Sequence, residues 1–369
     1  MTEPRLESVR TVLVEAVARR VTPGGQLSVR WLRDGVWQSW DEEFGTLDYE
    51  PGSASVTVDT LYDLASVTKA VVALAFVRLA SRGEAHLAST LGTVAAACAS
   101  CPSADATFEQ LLSHRAELPA WRPFYRSVAP ERPAQGGTRE GVLAAVRATE
   151  REASGSLARY SDVGYILLGE ALAAVACNDL PSTLRREVAE PLGLAGVLQY
   201  RGVRDADASE RIAPTERCAW RQRVMQGHVH DENAYALEGV SGHAGMFGTA
   251  RAIAEVGRAS LASLGGDATW FVPTWMARMV EGRPGGSHRL GWDGKSDEGS
   301  SAGVRMSRAT FGHLGFTGTS LWCDPEANVA VALVTNRVHP TRDGAGIREL
   351  RIAVHDAVMH AVAPTAPYR

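Results

Sequence analysis

Ser66-Val-Thr-Lys69 runs straight into the apolar helical stretch Val71–Ala80. Such a segment demands a helix that opens on a serine and a lysine three positions apart. Positions i and i+3 share one helix face, so the hydroxyl and the amine can meet. A lysine beside a serine can take its proton if burial or neighbouring cations keep part of the amine neutral. The helix N-terminus adds unpaired N–H groups and a positive dipole end, which favour developing negative charge. Alone, however, S-x-x-K is a common pattern, equally well read as a helix-capping serine followed by a solvated lysine.

Two further segments change that balance. Tyr160-Ser161-Asp162 precedes the apolar run Ile166–Leu172, and His313-Leu314-Gly315 lies in Phe311–Thr319, ahead of a strand-like Ser-Leu-Trp-Cys. Around them stand Asp59-Thr-Leu-Tyr-Asp-Leu-Ala-Ser66, Gln110-Leu-Leu-Ser-His114 and Gly239-Val-Ser-Gly-His-Ala-Gly-Met-Phe-Gly248.

In this order the segments resemble the penicillin-recognising serine hydrolases, whose signature is S-x-x-K, then S-D-N or Y-x-N, then K-T-G. The likeness spans roughly residues 24–340 and is nearest to the class C β-lactamase and carboxypeptidase/esterase branch, where the second motif begins with tyrosine. Two positions depart from the pattern. Asp162 stands where asparagine is usual, and His313 stands where lysine is usual. An imidazole is only partly charged near neutrality, so it holds a substrate carboxylate less firmly than a permanent cation.

The resemblance implies an α/β (α+β) fold, an antiparallel sheet flanked by helices with an inserted all-helical domain. On that reading residues 1–80 together with 241–369 form the sheet domain and 81–240 the helical insertion, with the active site between them. The sequence agrees in outline. Strands are predicted at 26–32 and 36–40, joined by Arg33-Asp34-Gly35, and again at 311–323 and 328–335. Helices are predicted over 3–20, from Ser66, over 107–113, 138–150, 163–176 and 181–189, after Ala250 and over 344–361. Pro-rich loops such as Leu118–Pro123 and Ala129–Pro133 divide the middle region.

Residue roles carried over from the resemblance are definite. Ser66 is the nucleophile and Lys69 its proton acceptor. Tyr160 is a second proton-transfer group, its pKa lowered by neighbouring cations, and Asp162 orients Lys69 and helps to keep it charged. His313 lines the cleft from the edge strand and meets Tyr160 or a substrate carboxylate. Gly315 lets the strand approach substrate, and the Phe316 N–H joins that of Ser66 in an oxyanion hole.

The expected activity is hydrolysis of an ester, amide or β-lactam through a Ser66 acyl-enzyme, with no metal or organic cofactor and a small-molecule acyl substrate. A D-alanyl-D-alanine carboxypeptidase or true β-lactamase is the alternative within the class, and a non-catalytic ligand-binding module the alternative outside it. A metal hydrolase built on His228, His230 and Asp231, with His243 nearby, is a further alternative; H-x-H beside carboxylates is its only support, and H-E-x-x-H is absent.

Composition sets outer limits. A chain of 369 residues can bury a substantial core. Its net charge of −4 comes with no basic tract, which argues against nucleic acid as a partner. Ala70–Val77 is far short of a bilayer span, and the first twenty residues show no signal-peptide pattern, so a cytoplasmic protein is expected. Five scattered cysteines fit a reducing compartment, with Cys98-Ala-Ser-Cys101 read as incidental thiols. Trp121 and Tyr125 are candidates for a substrate wall, and oligomeric state is not legible.

Overall fold

Asp34 and Gly35 both take positive φ, 52° and 77°, and between them reverse the chain. That pair suits the two-residue hairpin turn whose twist matches the flanking strands. It joins β1 (Gly24–Arg33) to β2 (Val36–Gly45), with Arg33 opposite Val36. The computed structural model describes residues 6–129, 138–153, 155, 157–202 and 211–363. Residues 3–5 of the expected first helix and 130–133 of the expected Pro-rich loop lie outside these.

β1 also pairs with β6 (Val329–Thr335), and the sheet continues through β5 (Ser320–Asp324), β4 (Phe311–Leu314) and β3 (Asp293–Gly294). Every pairing in this six-stranded sheet, ordered β2-β1-β6-β5-β4-β3, is antiparallel. β6 is buried on both faces, which is why its sequence is a continuous apolar run. Val329, Val331 and Leu333 face α1 (Glu7–Ala18) and α5 (Ile347–Val362), meeting Val9, Leu13, Val354 and Val358. Ala330, Ala332 and Val334 face the opposite side, where α4 (Ala250–Leu264) lies. Gly257 of α4 sits so close that an added Cβ would come within 2.9 Å of Ala330 Cβ and Leu321 Cδ1.

One expected strand is in fact two. The stretch 311–323 breaks after Leu314, turns through residues 315–319 and returns as β5, with Ser320 opposite Leu314. Gly318, at φ 110°, supplies a conformation that residues with side chains rarely adopt. A short helix, Pro273–Val280, lies where the sequence suggested no separate element; it is eight residues long and buries only Met276 and Met279.

Beneath the cleft runs α2 (Val67–Ser81), with thirteen of its fifteen residues buried. A helix apolar on all sides belongs in the core. Helices are the commonest regular elements of residues 81–240, but the region is not the all-helical insertion expected. Among the described residues it also holds the strands Leu198–Tyr200, Arg217–Cys218 and Arg223–Val224. Its α3 (Asp162–Ala176) packs against α2. The strand Leu198–Tyr200 pairs with Met246–Gly248, which also pairs with Tyr62–Asp63, so a small second sheet ties this region to the segment before Ser66.

Candidate active site

Ser66 occupies the N-cap of α2 but caps nothing: its backbone is helical and its side chain bonds no helix N–H. The hydroxyl is thus free for another task. The turn before it is held from below by Asp63, whose buried carboxylate accepts the Ala65 N–H at 2.8 Å and the His230 N–H at 2.6 Å. Ala65 has φ 46°, a costly conformation for a residue with a side chain, and such strain persists only where surroundings impose it.

Lys69 is fully buried and reaches three groups. Its Nζ donates to Ser66 Oγ at 2.9 Å and to His243 O at 3.0 Å, and lies 2.8 Å from Asp162 Oδ1. Burial pulls the Lys69 pKa down, but the Asp162 carboxylate and Tyr160 outweigh it and the net direction is up. Lys69 is therefore an ammonium. Of the two outcomes the sequence left open, an amine partly neutral through burial or neighbouring cations and a lysine kept charged by Asp162, the second holds, because the neighbour is a carboxylate.

Tyr160 and Asp162 flank Ser161, the N-cap of α3. Ser161 Oγ accepts the Gly164 N–H at 3.0 Å and donates to Pro119 O at 2.7 Å, while the Ser161 N–H donates to His114 Nδ1 at 3.0 Å. Asp162, in the first turn of α3, gains from the positive end of that helix. The Tyr160 ring borders the cleft and packs on His114 with ring centres 4.7 Å apart, Lys69 Nζ lies 4.9 Å from its centre, and its hydroxyl faces Lys69 and Ser66. Burial raises its pKa more than Lys69 lowers it. The lowered tyrosine pKa expected from sequence is thus reversed, and Tyr160 is a phenol.

His313 also departs from expectation. It lies on β4, one strand in from the edge strand β3, and is absent from the cleft wall, where Leu314 takes its place. It does reach Tyr160, with ring centres 6.2 Å apart. Burial, with Lys69 nearby, pushes its pKa down to about 3, so the ring is neutral and supplies no cation. Its Nδ1 faces Leu314 O at 2.9 Å. His114 and His288 complete a set of imidazoles around Tyr160, and burial lowers the pKa of both.

Gly315 lines the cleft, yet its close neighbour is the chain itself. A Cβ there would fall 1.9 Å from Thr319 Oγ1 and 2.6 Å from Leu64 O, so the glycine brings the strand against the nucleophile's own segment. The backbone N–H groups of Ser66 and Phe316 find no acceptor among the described residues. Two unpaired donors beside a serine hydroxyl suit an oxyanion.

These groups share a cleft of about 520 Å³ with Trp121, His230, Asp231, His243, Arg337, Arg342 and Arg351. Phe316 is 50% exposed there and Trp121 42%. Tyr125 does not line it, packing instead on Trp220 with ring centres 4.8 Å apart. His230 and His243 each face a single carboxylate, Glu216 and Asp231, both at 2.8 Å. Among the described residues no three histidine, cysteine or carboxylate side chains converge as a metal site. The arginines were not found by sequence reading: Arg337 lies just past a strand pattern, and Arg351 sits inside a helical one.

Comparison with known proteins agrees with this architecture. The Beta-lactamase family matches residues 9–356. A provisionally named D-alanyl-D-alanine carboxypeptidase of Escherichia coli (strain K12) is 29% identical over 307 residues, 77% of this chain and 70% of that protein. Among solved structures, EstCE1, described as a hydrolase with promiscuous acyltransferase activity, aligns with TM-score 0.75 at 22% identity over 95% of this chain and 97% of its own. A penicillin-binding protein homologue from Caulobacter crescentus gives 0.73 at 21% identity over 98% and 99%. At those identities the structures speak for the fold. The family match, over most of the chain's length, speaks for kinship: the chain belongs to the beta-lactamase family of serine hydrolases.

Proposed function

We propose that the protein hydrolyses ester or amide bonds of small acyl substrates, with Ser66 as nucleophile and Lys69 and Tyr160 as its proton relay. The observation that carries this reading is the 2.9 Å hydrogen bond from Lys69 Nζ to a serine hydroxyl that caps no helix.

Protonation states select the route. With Lys69 an ammonium and Tyr160 a phenol, neither is a free base at rest. A relay resolves this. The Tyr160 proton passes to the leaving oxygen or nitrogen, a Lys69 proton replaces it on Tyr160, and the amine lone pair so freed takes the Ser66 proton as Oγ bonds to the carbonyl carbon, all in one concerted movement. Lys69 and Tyr160 end as they began, and the leaving group departs neutral. Water then attacks the acyl-enzyme, and its proton returns along the same path to Ser66. The Ser66 and Phe316 N–H groups hold the oxyanion in both steps.

The neutral His313 argues against efficient β-lactam turnover, since no permanent cation stands at that position. Carboxypeptidase activity is the second reading, favoured by the name of the Escherichia coli relative. Intact-mass labelling with a fluorophosphonate, run on the parent and on Ser66→Ala, tests the nucleophile. One adduct on the parent and none on the variant is expected. Turnover of a p-nitrophenyl ester by the alanine variant at the parent's rate would defeat the proposal. Comparing kcat/KM on that ester, a D-alanyl-D-alanine peptide and a chromogenic cephalosporin separates the activities.

A further inference from the structure

His243 serves Lys69 through its main chain, while its side chain is engaged elsewhere. The ring is 1% exposed. Its Nε2–H donates to Asp231 Oδ1 at 2.8 Å, and its Nδ1 meets Ser241 Oγ at 2.8 Å. Against burial, His243 and the Ala234 N–H hold the Asp231 carboxylate below its usual range, so the ring nitrogen is the donor. Both partners are anchored in turn. Asp231 caps the helix Glu232–Ala236 by accepting the Ala234 N–H at 2.7 Å. Ser241 O accepts the Tyr200 hydroxyl at 2.6 Å.

The main chain does not hold this segment by itself. Among the described residues none of the N–H groups from 241 to 245 has a main-chain acceptor. Gly242 is wedged against α3, where an added Cβ would fall 2.0 Å from Tyr165 O and 2.9 Å from Gly169 Cα. The His243 carbonyl is therefore aimed by a clasped ring on one side and by α3 on the other.

That carbonyl differs from the other groups around Lys69. An ammonium has three N–H bonds, and Ser66 Oγ, His243 O, Asp162 and the Tyr160 hydroxyl all face it. Ser66, Asp162 and Tyr160 can each exchange a proton with Lys69. A carbonyl accepts a hydrogen bond but takes no proton, so it fixes the rotation of the ammonium without diverting what the relay moves.

We propose that His243 is a positioning residue of the proton relay: its ring, clasped by Asp231 and Ser241, aims its carbonyl at Lys69 and so sets the rotation of the ammonium between Ser66 and Tyr160. The His243 side chain touches no reacting atom. The inference rests on the Ser66 reading, since the relay serves that hydroxyl.

Turnover of p-nitrophenyl butyrate in water and in deuterium oxide tests it. In His243→Ala the clasp is gone, and kcat is expected to fall about 100-fold, the cost of a misplacement near 1 Å. KM should stay within about twofold, because ground-state binding is untouched. The solvent isotope effect on kcat should rise, since a misaligned relay slows proton transfer relative to the other steps. Ser241→Ala removes one hydrogen bond of the clasp and should lower kcat about tenfold in the same sense. His243→Gln, which can still reach Asp231, should keep part of the kcat that the alanine variant loses.

Parent-like kcat in a folded His243→Ala overturns the proposal. So does a fall in kcat with an unchanged isotope effect, which marks a structural residue only. A rise in KM at parent kcat overturns it too, because His243 would then be a substrate contact. If His243→Ala does not fold, Ser241→Ala decides by the same three readings. Failure of the Ser66 reading looks different, since Ser66→Ala would then turn over the ester as the parent does.

Discussion

Asp162 Oδ1 lies 2.8 Å from Lys69 Nζ, and the other acceptors of that amine, Ser66 Oγ and His243 O, are neutral. One carboxylate thus decides the charge of a lysine with no access to water. Asparagine at this position, usual in the signature that the sequence resembles, cannot do so.

Replacing Asp162 with Asn tests that dependence. Burial is the largest influence on Lys69, so without the carboxylate its pKa should drop below the ordinary 10.5. The inflection that Lys69 contributes to the pH profile of kcat/KM should move to lower pH. Stability should change as well. A lysine whose folded pKa is raised contributes stability throughout neutral pH, lost only as pH rises through the folded value. Breaking the pair should cost about 3 kcal/mol at pH 7, read by urea unfolding. An unmoved profile together with unchanged stability would show that the pair is not coupled as described.

Asp63 is expected to be as important as any residue lining the cleft. Asp63→Ala leaves the Ala65 and His230 N–H groups buried without acceptors, at about 1–3 kcal/mol each. It also releases the strained Ala65 conformation that presents Ser66. Thermal unfolding should fall by several degrees, and fluorophosphonate labelling of Ser66 should slow at a temperature where the variant is still folded. Full labelling speed in a folded variant would mean that the turn holds its shape without the carboxylate.

Much of this was legible in the chain, and the exceptions share a cause. Asp34-Gly35 announced its hairpin because local backbone preference alone fixes that turn. The run from Val71 announced a buried helix because it is apolar on every side. What local pattern could not convey was which charges become neighbours. Asp162 and Lys69 are 93 positions apart, and whether Lys69 is an amine or an ammonium depends on their meeting. His313 reads in sequence as a half-charged cleft residue because burial on β4 is a property of the assembled sheet. Arg337 and Arg351 were missed for the same reason, since nothing local marks an arginine that will line the cleft.

Acid should destabilise the fold through the imidazoles around Tyr160. In the folded state the pKa of His114 lies well below 6.5 and that of His313 is about 3, both chiefly from burial. Between those values and 6.5 the unfolded chain binds protons that the folded chain refuses, so stability falls as pH falls through this window. Each such imidazole contributes at most about 1.4 kcal/mol per pH unit. Urea unfolding at pH 7, 6 and 5 should show the decline, and His313→Asn should make it shallower. An identical slope in the variant would remove His313 from the account, leaving other buried imidazoles such as His355, pushed down to about 4 chiefly by its burial.

Gly315→Ala separates the geometry of the oxyanion donors from the chemistry of Ser66. The added methyl would fall 2.6 Å from Leu64 O, which is backbone and cannot turn aside, and 1.9 Å from Thr319 Oγ1. Thr319 can yield only by giving up its 3.0 Å hydrogen bond to that same carbonyl. The strand must then move away from the segment bearing Ser66, taking the Phe316 N–H with it. Overpacking of this kind costs about 1–3 kcal/mol of stability. A displacement near 1 Å at a donor costs about 100-fold in rate, so kcat should fall far more than KM rises. Ser66, Lys69 and Tyr160 remain in place, so a fluorophosphonate should still label Ser66, though more slowly because its phosphoryl oxygen needs the same two donors. Parent-like kcat would place the oxyanion elsewhere, and complete loss of labelling in a folded protein would mean that Gly315 shapes the nucleophile itself rather than the donor opposite it.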